Sequence, residues 1–83
     1  MSRSNFTYEY KMLLAKLKQA RVSAGLTQTE AAIKLKRTQS FISKIESGER
    51  RVDVVELAEL ARLYRASFDW MLSDVAPHEP KRK

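Results

Sequence analysis

Apolar residues recur along the chain at intervals of three and four, the period at which side chains return to one face of an α-helix. Leu13, Leu14, Leu17, Ala20 and Arg21 follow this spacing while Lys11, Lys16 and Lys18 face elsewhere, which predicts a first helix from about Tyr8 to Ala24. Gly25 then serves as its C-terminal cap. Thr27 and Glu30 form a capping box, with Leu26 placed to staple onto Ala31, so a second helix is expected over Gln28–Leu35 through Ala31, Ala32 and Ile33. Thr38 caps a third, Gln39–Ser47, with Ile42 and Ile45 inward, and Gly48 ends it. Asp53 and Glu56 repeat the capping box, and Val52 faces Leu57 as a staple. A fourth helix with the stripe Val54, Leu57, Leu60, Ala61 and Tyr64 follows. Ser67 caps a short fifth, Phe68–Ser73.

The predicted fold class is therefore all-α, with five helices joined by short turns. The 83 residues contain two glycines and two prolines, and both prolines fall after residue 76. One domain is expected over residues 8–74, between a flexible N-terminal arm, 1–7, and a disordered basic tail, 75–83. The length leaves no room for a separate ligand-binding domain, so no small-molecule substrate is expected. With no cysteine there is no disulfide or thiolate metal site. His78 stands alone in the tail, and neither a metal site nor a catalytic triad can be assembled around it, so no cofactor and no enzymatic activity are expected. No apolar run approaches a membrane span or a leader. The expected location is the cytoplasm, at the nucleoid.

Charge sharpens this picture. Residues 1–52 hold eleven Lys or Arg against four Glu, a local +7; residues 53–80 hold two Arg against six acids, a local −4; the last three residues add +3, giving the total of +6. One end of the domain attracts a polyanion, and nucleic acid is the leading candidate partner. A solvated basic surface on an ordinary helical protein would carry the same charge.

Two short helices separated by a tight turn, Gln28–Leu35 and Gln39–Ser47, have the spacing of a helix-turn-helix. Ala31, Ala32, Leu35, Ile42 and Ile45 fall where the two must touch. Gln39, Ser40, Ser43, Lys44 and Ser47 point outward.

From Leu14 to about Leu72 these residues resemble the lambda-repressor-like family of helix-turn-helix proteins, the Cro/CI-type and XRE-like DNA-binding domains. The resemblance runs through Leu17, Arg21, the stretch Gly25-Leu26-Thr27-Gln28, Glu30, Ala32, the segment from Thr38 to Gly48, then Leu57, Leu60, Ala61, Phe68 and Leu72. Lys36 departs from it, standing at a turn position where the family usually has glycine. The resemblance implies a third helix laid in the major groove of B-DNA, with Gln39, Ser40, Ser43 and Lys44 at positions that reach base edges. Their chemistry suits this: glutamine pairs with adenine, lysine with guanine. It implies phosphate contacts from Gln28 at the start of helix 2, from Lys36, Arg37 and Thr38 at the turn, and from Arg50 and Arg51 in the following loop. It pairs Arg21 with Glu46 in an internal salt bridge. Phe41 is left between two readings, packing on Ile45 or lying at the groove edge against a thymine methyl.

Phe68, Trp70, Met71 and Leu72 crowd a helix barely two turns long, so at least one should stay on the surface as a dimer contact. The expected function is sequence-specific transcriptional regulation, by a repressor whose homodimer binds a near-palindromic operator. Two alternatives are an antitoxin-like or adaptor protein that holds a protein partner and uses DNA binding for autoregulation, and a coactivator bridging proteins; the polar third helix argues against the latter.

Overall fold

The computed structural model describes residues 7–73, which form α1 (Tyr8–Ser23), α2 (Gln28–Leu35), α3 (Gln39–Ser47), α4 (Val54–Tyr64) and α5 (Phe68–Met71). Among the described residues there is no strand. The expected tail, residues 75–83 with His78, and all but Thr7 of the expected arm lie outside the described residues.

Every helix starts on an oxygen-bearing side chain. Thr7, Thr27, Thr38, Asp53 and Ser67 each sit in extended backbone and accept a hydrogen bond from the amide three residues on. At Thr27–Glu30 and Asp53–Glu56 the glutamate returns the bond, completing both capping boxes.

Three helices end alike. The amides of Leu26, Arg37 and Ala66 reach back to the carbonyls of Arg21, Ala32 and Ala61, across a left-handed residue in between. That residue is Gly25 in the first case, but Lys36 (φ 60°) and Arg65 (φ 60°) in the others. Lys36 thus adopts the backbone that glycine would take, at a steric cost of roughly 1 to 2 kcal/mol.

The core is one cluster: Leu13, Leu14, Leu17 and Ala20 of α1, Ala31 and Ala32 of α2, Phe41, Ile42 and Ile45 of α3, Leu57, Leu60, Ala61 and Tyr64 of α4, and Met71 of α5. Helix α1 is its axis and packs against α3, α4 and α5, while α2 packs on α3 and α4. Ala31 and Ala32 are fully enclosed, because only small side chains let α2 approach α3 closely. Phe41 belongs to this core rather than to the open groove edge.

Two boundaries differ from expectation. Helix α1 stops one residue earlier, at Ser23, and α5 ends at Met71 rather than Ser73, with Leu72 and Ser73 in a turn. Lys16 of α1 holds the turn that follows α5. Its ammonium donates to the Trp70 carbonyl (2.9 Å) and to the Ser73 hydroxyl, and lies 5.3 Å from the Trp70 ring centre.

The expected dimer patch needs one correction. Met71 is 0% exposed and closes the bottom of the core, so it has no surface to offer a second copy. Phe68 (38%) and Trp70 (37%) remain open, and Leu72 is half-buried against the core.

Candidate nucleic-acid interface

Helix α3 turns Phe41, Ile42 and Ile45 into the core and leaves Gln39, Ser40, Lys44 and Ser47 exposed, with Ser43 partly so. At 100° per residue the exposed set forms one stripe, bordered on one side by Gln39 and Glu46 and on the other by Phe41. A distinct polar cluster stands on each border.

The first cluster begins inside the protein. Arg21, 8% exposed, donates from Nε to Glu46 Oε2 (2.7 Å), from Nη2 to Glu46 Oε1 (3.1 Å) and from Nη1 to the Leu26 carbonyl (2.9 Å). The hydrogen bond to Glu46 raises the Arg21 pKa above its ordinary value, against the opposing effect of burial. Glu46 Oε1 also accepts from Gln28 Nε2 (3.0 Å). A carboxylate can only accept, so the Gln28 amide must turn its nitrogen inward and its oxygen outward. That oxygen accepts from Gln39 Nε2 (2.8 Å). The chain Arg21–Glu46–Gln28–Gln39 therefore runs from α1 to the first residue of α3 and leaves the Gln39 carbonyl oxygen and one amide hydrogen to face outward. One acceptor beside one donor is the pattern that matches adenine N6 and N7.

On the other border, two arginines lie over the Phe41 ring. The Arg37 guanidinium is 4.3 Å and that of Arg50 4.8 Å from the ring centre. Arg50 forms a two-pronged pair with Glu56, Nη1 to Oε1 and Nη2 to Oε2, both 2.9 Å. Arg37 approaches Glu56 at 3.9 Å and Glu59 at 3.3 Å. The hydrogen bond from Arg50 holds the Glu56 carboxyl below its ordinary 4.5, burial notwithstanding.

Of the residues named for phosphate, Lys36, Arg37, Thr38 and Arg51 are exposed, while Gln28 and Arg50 are partly buried. Thr38 uses its hydroxyl on the Phe41 amide (3.1 Å). Arg51 lies 4.7 Å from the Tyr10 ring centre, and the Tyr10 hydroxyl accepts from the Val52 amide (3.2 Å), so the loop after α3 is tied to α1. The links Glu46–Gln28 and Arg50–Glu56 went unread in the sequence. The position of Glu46 one turn from Ile42, beside the outward stripe, was the available signal for the first; the second had none, because the glutamate was already accounted for as a helix cap.

A family model described as "Helix-turn-helix domain" matches residues 13–69. The chain belongs to the helix-turn-helix family. Within it, a solved XRE-family like protein from Pseudomonas syringae pv. tomato str. DC3000 superposes with a TM-score of 0.73 at 45% identity, over 78% of this chain and 79% of that one. The HTH-type transcriptional regulator ImmR of Bacillus subtilis (strain 168) is 42% identical over 57 residues, 69% of this chain. This helix-turn-helix chain spans 45% of that relative's length. The five-helix, all-α architecture is that of the XRE-like DNA-binding members. Among the described residues, no helix is long and apolar enough to cross a membrane.

Proposed function

We propose that the chain is a sequence-specific transcriptional repressor that binds duplex DNA as a homodimer at a near-palindromic operator. The observation that carries this reading is the exposed stripe of α3, in which Gln39, Ser40, Ser43 and Lys44 are presented with Gln39 already oriented through Gln28. In the proposed complex these four face base edges. Lys36, Arg37, Thr38, Arg50 and Arg51, with Gln28 through its backbone amide at the start of α2, face the phosphates on either side. Arg21 and Glu46 stay internal. The likeness to the Bacillus transcriptional regulator supports the regulatory role, and the exposed Phe68 and Trp70 support self-association. DNA itself would be the ligand of the basic half, with no chemistry performed on it.

The test is selection of bound duplexes from a random pool, followed by affinity measurements at increasing salt. Affinity for the selected site should fall steeply, because each neutralised phosphate releases counterions. Lys44→Ala should cost about 1 to 3 kcal/mol on the selected site and relax preference at one base pair, with little effect on random duplex. Salt-independent binding, or equal losses on both duplexes for the variant, would overturn the reading.

A further inference from the structure

We propose that Glu56 and Phe41 are positioning residues for DNA binding: they hold the Arg50 guanidinium as a preassembled grip for a backbone phosphate on the α4 side of α3. This rests on the chain binding duplex DNA, and adds to it the way one phosphate is held.

A guanidinium carries five N–H donors in one plane. In Arg50, Nη1 donates to Glu56 Oε1 (2.9 Å) and to the Arg51 carbonyl (3.2 Å), and Nη2 gives one hydrogen to Glu56 Oε2 (2.9 Å). Two donors remain, Nε–H and the second hydrogen of Nη2, and they lie parallel along one edge of the plane. None of the hydrogen bonds described engages that edge. It is the side-on fork that takes a phosphate with two bonds. The Arg50 side chain is 41% exposed, so the group is within reach of solvent.

The rest of the cluster fixes where that edge lies. Glu56 is buried and is held in turn by the Asp53 amide (3.0 Å), so its carboxylate cannot follow a wandering arginine. The Phe41 ring supports the guanidinium from one face at 4.8 Å. Arg37, on the same ring, adds a second positive charge beside it. An exposed arginine normally loses rotamer freedom when it grips a phosphate; here that ordering precedes DNA. Helix α3 would then sit in the groove with a restrained side chain on each border, Gln28 on one and Arg50 on the other.

Positioning and simple charge predict opposite signs for Glu56. As a bare negative charge near DNA it repels phosphate, and removing it should tighten binding. As the residue that holds Arg50, removing it should weaken binding. Glu56→Gln separates the two, since glutamine retains the acceptor that the Asp53 amide needs for the capping box.

The experiment measures equilibrium affinity of the full chain for the selected site and for a random duplex, at a temperature where circular dichroism shows every variant folded. E56Q should bind both duplexes about threefold to tenfold more weakly, the range of one lost hydrogen-bonded constraint. Arg50→Lys keeps the charge and abandons the fork, so E56Q added to that variant should cause no further loss. E56Q binding as tightly as the parent or tighter, or weakening both backgrounds equally, overturns the proposal while leaving the helix-turn-helix reading intact. Failure of the parent chain to bind any duplex overturns both.

Discussion

At the scale of single residues, the most committed side chain is Arg21. All three guanidinium nitrogens are engaged, two of them on Glu46, and the pair is nearly closed off from solvent, with side-chain exposures of 9% and 7%. Arg21→Ala would strand a buried carboxylate, a change that costs up to about 3 to 5 kcal/mol; the bond Gln28 still offers Glu46 places the expected loss toward the lower end. A thermal melt checks this, and an unchanged melting temperature combined with lost DNA affinity would make Arg21 a phosphate ligand instead. Tyr64 is buried near this pair. Burial, reinforced by the charge of Glu46, pushes its phenol up to about 12.

At the scale of elements, what was legible in the sequence was local. Thr27 with Glu30 and Asp53 with Glu56 announce helix starts because capping spans three residues, and the start of every helix after α1 falls where those signals put it. Ends were harder. Helix α5 stops at Met71, and the turn beyond it is held by Lys16, 54 positions away in sequence, which donates to the Trp70 carbonyl; no local pattern encodes such a contact. The Phe41 cluster is illegible for the same reason, since Arg37, Arg50 and Glu56 meet only after α3 and α4 have packed. Lys36 illustrates a rule overridden: the turn needs a left-handed residue and gets one without glycine, the bonds from Lys36 and Arg37 back to α2 offsetting the strain. Lys36→Gly should relieve roughly 1 to 2 kcal/mol of that strain and return about 0.4 to 1 kcal/mol through the greater freedom of the unfolded chain. The expected net is a melting temperature raised by a few degrees. A lower melting temperature would mean that the lysine side chain contributes stability that its exposed position does not reveal.

At the scale of the whole molecule, charge is distributed unevenly along the chain. The basic residues gather before position 53 in the sequence, while Phe68 and Trp70 lie open on α5 with Lys16 of α1 beside Trp70. If two copies meet there, a two-fold axis would set two α3 helices in successive major grooves, roughly 34 Å apart. Sedimentation should show a dimer at tens of micromolar, loosened by Trp70→Ala; a parent monomer, or a variant dimer as tight as the parent, would defeat that assembly. The way α5 is fastened has a consequence for timing. Four helical residues form no independent cooperative unit, and this helix is pinned by one lysine and one buried methionine. Its amides should therefore exchange with deuterium through small openings, while those of α1, α3 and α4 wait for global unfolding. If a partner copy seats on Phe68 and Trp70, each such opening also breaks the dimer contact, so association would slow exchange in α5 before it slows exchange anywhere else, and the lifetime of the dimer would be written in the protection of a single turn.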